Sequence, residues 1–430
     1  MTACSCSGRR RATPPSTSAI RSERAPPSGR GAGWRRVQRP PAATSPTYVT
    51  GTSRTYRLNL WLHRWCSLLA TLPFLVLCLT GTVLIFHEEI DAAMGVMPAA
   101  PGLSASQRPL AESVDAVLAA SPDEKVIYLG LDADHHPGLL LLNTVPHGDS
   151  GFERAKLQFT DLATAERMDA SAGDGTTLTG FLLELHAQWF LGPFGELLGA
   201  FFALLVLVSL LSGLVVYWPH AKKVAFGLLR RGKGPRLRQL DLHNTIGAIV
   251  LGWAFAVSLT GLLLGFGTLA TGLWSQQQLA RVQSMHTGAP VDPRHPPIDA
   301  DQALASALTA APTGWQVSSI LWPATDFSTP RHYTVLVAGS GLDERLVRVV
   351  LVDAANGEVA GTAELPWYLK AITLSEPLHF GDYGGMPLKI LWTACTWLTL
   401  FITLNGAWLW WDRRRKRKVK ARGDLKEVAP

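Results

Sequence analysis

Apolar positions along this chain fall into two patterns. In residues 65–86, 197–218, 246–269 and 390–411 they run on almost without charge for more than twenty residues, enough for a helix to cross a hydrocarbon core of about 30 Å. Four membrane spans are therefore predicted, with outer limits at 54–87, 194–218, 243–270 and 389–411. Between spans one and two, and again between three and four, the pattern shortens to runs bounded by Gly, Pro, Asn and Asp, as in a soluble fold. The second of these segments, 271–388, predicts a helix over 300–311, strands near 315–322, 332–338 and 346–352, and a turn at Asn356-Gly357. The first, 88–193, repeats that order with a helix near 110–120 and strands near 126–131, 139–143 and 155–159.

The repetition extends to single positions. Residues 351–358 (LVDAANGE) align with 159–166 (FTDLATAE), and Thr80-Gly81, Ser212-Gly213, Thr260-Gly261 and Asn405-Gly406 each set a small polar residue before a Gly late in a span. Small residues at such places permit a close helix approach. His63 precedes Thr80 by 17 residues and His243 precedes Thr260 by 17; His186 precedes Ser212 by 26 and His379 precedes Asn405 by 26. An internal duplication follows, each copy a helix, an external α+β domain and a second helix, the copies related by an axis along the membrane normal. The expected fold class is an α-helical membrane protein, a four-helix bundle carrying two α+β domains.

Charge gives this arrangement a direction. Lys and Arg outnumber Asp and Glu 12 to 1 in residues 1–64, 7 to 0 in 219–240 and 9 to 3 in 412–430, but are outnumbered 5 to 16 in 88–193 and 6 to 11 in 271–388. The positive-inside rule places both termini and the 219–242 loop in the cytoplasm and both large segments outside, in a bacterial periplasm or its equivalent. The net charge of +7 is thus sorted along the chain rather than spread over a nucleic-acid-binding face, and no nucleic-acid partner is expected. Residues 1–53, rich in Arg, Pro, Ser and Gly, read as a disordered tail or as the product of an over-extended translation start. No apolar stretch closely follows their Arg pairs, so a cleaved signal peptide is not expected. The basic run 413–418 reads as an anchor on anionic lipid. Cys4 and Cys6 lie in the tail and Cys66, Cys78 and Cys395 in apolar runs, which excludes a disulfide framework in the polar segments.

The four histidines form two equivalent pairs, His63 opposite His243 and His186 opposite His379, the latter two on elbows marked by Gly192-Pro193 and by residues 384–387. Imidazoles facing each other across a helix bundle suit the axial ligation of haem iron, and two such sites would carry electrons across the membrane. Histidines capping helix ends at the headgroup boundary are the plainer alternative. Trp61, Trp65, Trp253 and the Phe-rich second span are candidates to pack on porphyrin faces, and equally ordinary interface anchors. His87 is a reserve ligand, His220 a helix cap, and the Asp132, Asp134, His135 and His136 cluster a polar loop rather than a metal site. Residues 227–233 mimic a P-loop but Gly234 replaces its Ser or Thr, and Gly265-Phe266-Gly267 ends a span rather than opening a dinucleotide site.

Leu62-His63-Arg64-Trp65, Leu79-Thr80-Gly81, Phe86-His87-Glu88-Glu89, Leu185-His186, Leu242-His243, Leu259-Thr260-Gly261 and residues 377–381 (PLHFG) together resemble the PepSY-associated transmembrane helix family over roughly 54–415. The resemblance implies a bacterial inner-membrane protein with periplasmic PepSY-type domains, related to haem-containing ferric-siderophore reductases. It implies His63, His186, His243 and His379 as ligands of two haem b groups, with membrane lipids, a ferric siderophore or other iron chelate, and a cytoplasmic electron donor or quinol as partners. The expected activity is ferric-chelate reduction. The rival expectation is a non-enzymatic PepSY membrane protein that binds peptides or restrains a protease. A transporter is disfavoured because the spans lack buried ionic pairs.

Overall fold

The computed structural model describes residues 53–427 except 132–135, 153, 170–176, 224, 231, 233, 286–287, 340–345 and 382. The tail up to residue 52, together with Asp132, Asp134 and His135 of the polar cluster and Lys233 of the P-loop lookalike, lies outside the described residues. Four helical stretches are long and apolar enough to cross a membrane: Arg54–Leu84, Pro193–Ala221, Pro235–Gln278 and Gly385–Lys416. The chain is a multi-pass membrane protein.

The spans are built on α1 (Arg54–Leu84), α5 (Pro193–Ala221), α6 (Pro235–Leu264) and α10 (Gly385–Glu427), with the shorter α2 (His87–Met94), α3 (Leu110–Ala120) and α4 (Leu178–Leu183) between the first two. Ser53 caps α1 by accepting from the Tyr56 amide, and Pro occupies the first turn of α5 and α6, where no helical N–H bond is lost. Thr71, Thr80, Thr82, Thr393, Thr396, Thr399 and Thr403 turn their hydroxyls back onto carbonyls four residues earlier, which satisfies them where lipid offers no partner. In the bundle α1 packs on α5 and α10, and α6 also packs on α5 and α10, so α1 faces α6 across one diagonal and α5 faces α10 across the other.

Strands β1 (Glu124–Leu131), β2 (Leu139–Pro146), β3 (Lys156–Asp161) and β4 (Arg167–Met168) follow α3. Beyond α6 come α7 (Gly267–Met285) and α8 (Ala300–Ala310), then β5 (Gln316–Leu321), β6 (His332–Ala338), β7 (Arg348–Asp353), β8 (Val359–Glu364) and α9 (Trp367–Phe380). All eight strands belong to one antiparallel sheet in the order β4-β3-β2-β1-β5-β6-β7-β8. The predicted division into two external domains therefore takes a different form: Tyr128, Leu129 and Gly130 pair with Leu321, Ile320 and Ser319, and the two four-stranded halves share a central seam. A continuous sheet requires both large segments to lie on the same side of the bundle.

The halves also share a core and a cap. Val117, Leu129, Leu140, Ala303, Ile320, Val335 and Val350 are fully buried between the sheet and the α3 and α8 helices. Asp299 and Gln302 form a capping box on α8, whereas α3 begins at Pro109 with no cap of its own. Asp301 supplies it, accepting from the Leu110 and Ala111 amides at 2.9 Å each. The aligned octapeptides close the same turn: Asp161 and Asp353 accept through Oδ1 from the amides of Ala163 and Ala355, and their own amides donate to Glu166 and Glu358. Ala165 (φ 58°) takes the left-handed conformation that Gly357 (φ 77°) adopts at the matching place.

Candidate functional site

His63 and His243 are each between two and three turns past the first residues of the long α1 and α6 helices, and their rings meet across the α1–α6 diagonal with centroids 6.3 Å apart at 74°. His186 and His379 are not in long helices. His186 lies in a single π-helical turn, Glu184–Gln188, and His379 in the last turn of α9, each just ahead of a spanning helix. Their rings meet on the other diagonal, again with centroids 6.3 Å apart, at 65°. The structure thus brings together the two pairs that the equal spacings group. We refer to His186 and His379 as the sheet-proximal pair and to His63 and His243 as the sheet-distal pair.

Each ring rests on a glycine of a different helix. A Cβ built on Gly213 would come within 2.9 Å of His63, on Gly261 within 3.0 Å of His379, on Gly81 within 3.1 Å of His186, and on Gly406 within 3.2 Å of His243. These glycines admit an imidazole, not the neighbouring helix backbone that the small-residue pattern suggests. Where side chains at those positions would stand, each ring turns Nδ1 toward the carbonyl four residues before the glycine. His63 bonds Ser209 O at 2.8 Å and His379 bonds Val257 O at 3.0 Å, while Leu77 and Ile402 carbonyls stand beside His186 and His243. Hydroxyls join them: Thr80 Oγ1 is 2.8 Å from His186 Nδ1, Thr260 Oγ1 3.2 Å from His379 Nδ1, and Ser209 Oγ 3.2 Å from His63 Nδ1.

This pattern fixes a tautomer. A carbonyl only accepts, so the Nδ1 bonded to it carries the proton, and in a neutral ring Nε2 keeps the lone pair. Ligating histidines are commonly oriented in this way by a carbonyl on the non-ligating nitrogen. A metal–imidazole bond of about 2.0–2.1 Å, with the ring centre roughly 1.2 Å behind the ligating nitrogen, sets two opposed ring centroids about 6.4 Å apart. Both pairs match that spacing. Among the described residues no three His, Cys, Asp or Glu side chains gather into a cage, so a metal here would take two imidazoles and complete its shell from a ligand of its own.

From His63 to Gly81 on α1, and from His243 to Gly261 on α6, there are 18 residues. At about 1.5 Å per residue the two levels are roughly 27 Å apart along the bundle. Beyond Arg64, which adjoins His63, no Asp, Glu, Lys or Arg falls between the levels on α1 or α6.

Other predicted residues are placed differently. His87 is exposed at the start of α2 with Nδ1 on the Leu84 carbonyl, and the described contacts join it to neither pair. His220 is exposed at the end of α5, and His136 lies in the turn before β2. Trp61 and Trp65 turn outward, 56% and 39% exposed, so they line the lipid face rather than a central space. Trp253 points inward and packs edge-on against Trp392.

Two features escape the sequence pattern. Lys389, only 5% exposed at the start of α10, bridges the more exposed Glu88 and Glu89 at 2.8 Å each, an ionic cluster at the edge of the span rather than within it. Asp241, two residues before His243, is buried and holds both the amide and the guanidinium of Arg230, which folds the basic loop back onto α6. An ionic group beside a span with its counter-ion some 300 residues away leaves no local signal.

The model of the PepSY-associated TM region matches residues 60–413 of this chain. An uncharacterized protein of Pseudomonas aeruginosa is 28% identical over 253 residues, which take in 54% of this chain and 63% of that relative, so the chain spans less than two thirds of its length. The match across most of the spans and the sheet makes the chain a member of the PepSY-associated transmembrane family.

Proposed function

We propose that this member of the PepSY-associated transmembrane family holds two haem b groups, one between His63 and His243 and one between His186 and His379, and passes electrons across the membrane to ferric iron in a chelate. The observation that supports the reading is the repeated geometry of the site: each imidazole lies on a foreign glycine and faces its partner at 6.3 Å, and His63 and His379 bond a backbone carbonyl through Nδ1. Haem held by two imidazoles supplies a one-electron couple with no open position for dioxygen. The residues fit such a group, because the chain offers two oriented nitrogens per level and leaves the remaining coordination to the porphyrin.

Between the two levels the α1 and α6 stretches 65–80 and 244–260 carry no charged side chain, which disfavours water and ions there. His63 and His243 lie near the basic ends of α1 and α6, the side that the charge count assigns to the cytoplasm. On this reading the two halves are copies, the sheet is periplasmic in a bacterial inner membrane, and electrons enter from a cytoplasmic donor or quinol. They leave on the sheet side to Fe(III) held by a siderophore or similar chelate. Such hard oxygen cages bind Fe(III) far more tightly than Fe(II), so reduction is also release.

The test is a reduced-minus-oxidised absorption spectrum of detergent-purified protein with haem quantified per chain. Two b-type haems are expected, with His243→Ala and His379→Ala each removing one. A folded but colourless protein overturns the reading and moves the search to what the sheet binds.

A further inference from the structure

Three of the four Nδ1 atoms find a hydroxyl or carbonyl in good geometry, and His243 is the exception. Its Nδ1 is buried with no hydrogen-bond partner, and so is Oδ1 of Asn405, the residue before the glycine on which the His243 ring lies. Asn405 holds on α10 the place before the glycine that Thr80 and Thr260, whose hydroxyls meet His186 and His379, hold on α1 and α6. Asn405 itself is buried, and the other end of its amide is committed: Nδ2 donates to Gln239 Oε1 at 2.8 Å and to the Gln239 carbonyl at 3.3 Å. Because a backbone carbonyl cannot donate, the nitrogen must face Gln239 and the oxygen must face away from it. Gln239 stands one turn before His243 on α6, so Asn405 is tied to α6 one turn from the ring.

We propose that Asn405 is a positioning residue for the sheet-distal site, its Oδ1 accepting the His243 Nδ1 proton while Gln239 holds the amide in register. The pairing satisfies both atoms. It also separates this ligand from the other three. The other rings are met by the hydroxyls of Thr80, Thr260 and Ser209, two of them by a backbone carbonyl besides, whereas this one is held by a side-chain amide oxygen. An acceptor on Nδ1 makes the ligand more basic and favours the oxidised metal.

The inference rests on the haem reading above, and it is tested by redox titration of the purified holoprotein followed by absorption. Asn405→Leu, close in volume, removes the acceptor: one of the two titration steps is expected to shift to higher potential while the other stays. Asn405→Asp strengthens the acceptor and is expected to shift the same step lower; Gln239→Leu, which frees the amide to turn, is a milder variant expected to move it in the Leu direction. An unshifted step in Asn405→Leu and Gln239→Leu, or equal movement of both steps, overturns the positioning role and leaves the haem reading intact. A wild-type protein without haem removes both.

Discussion

His63 and His243 are carried by helices that run the length of the bundle, whereas His186 and His379 reach it on short helices bent into place. The contacts are the same in both pairs, but the scaffolding is not. In the sheet-distal pair, ring position follows from helix packing alone, because α1 and α6 bear the rings and α5 and α10 the glycines. In the sheet-proximal pair it depends on elbows with costly backbone. Trp189 and Phe190 both adopt left-handed conformations ahead of Gly192, and Gly381 and Gly385 do the same after His379. The elbows are filled in opposite ways: Trp189 of the first lies against Gly199 of α5, while Gly381 of the second receives Trp392 of α10. Of the links between sheet and bundle, those through α4 and α9 run directly into the sheet-proximal histidines, and none runs directly into the sheet-distal ones.

The largest way to break this comparison acts on the sheet-distal pair. Gly213→Ala sets a methyl 2.9 Å from two atoms of a ring whose Nδ1 is already tied to Ser209. It is expected to abolish binding at that level, so that haem per chain falls from about two to about one, while Gly406→Ala, with 3.2 Å of room, retains both. Equal losses in the two variants would show that packing at the glycine does not set the site.

Gly381→Ala attacks the other pair twice, through φ 72° and through a Cβ 2.6 Å from Trp392. A cost of about 1–3 kcal/mol is expected, read as a lower melting temperature in detergent, with the sheet-proximal signal lost first.

Lys389→Met leaves Glu88 and Glu89 facing one another beside α10. Both carboxylates are about 40% exposed, so solvent screens the loss to about 1–2 kcal/mol. Faster hydrogen exchange at the α1–α2 elbow, without change at His63, is the expected signature.

The smallest effect is acid-dependent and confined to the sheet. Burial raises the Glu124 carboxyl, but hydrogen bonds from Lys156 and Thr144 and the charges of Lys156 and Arg167 outweigh it and hold the group below its ordinary 4.5. Burial likewise raises Asp353, and Arg331 and the Ala355 amide bring it below 3.8. Folded values below unfolded ones mean stability that is complete above the ordinary values and lost as pH falls through the lowered ones. Tryptophan fluorescence of the sheet is expected to change below about pH 4 before the sheet-distal absorption does; the reverse order would break the link between sheet and proximal pair.

Much of this could be read along the chain. The helix predicted over 110–120 is α3 to the residue, the strand over 332–338 is β6, and the intervals of 17 and 26 residues select the rings that meet. The elbows were marked by Gly and Pro, yet their content, a π-helical turn and a 14-residue helix, was not. Nor was the central β1–β5 seam, which joins residues about 190 apart, or the capping of α3 by Asp301.

By itself the sequence determined the four spans, the order of elements in each half and the grouping of the histidines, because helix length, strand alternation and repeat spacing are local properties. Only the tertiary structure decided that the two halves share one sheet, that each small-Gly pair receives an imidazole from another helix, that Trp61 and Trp65 face outward, and that Lys389 has two carboxylate partners. Those outcomes depend on which helix lies on which diagonal and which strand edges meet, and such choices are made by the joint burial of distant surfaces rather than by any local pattern.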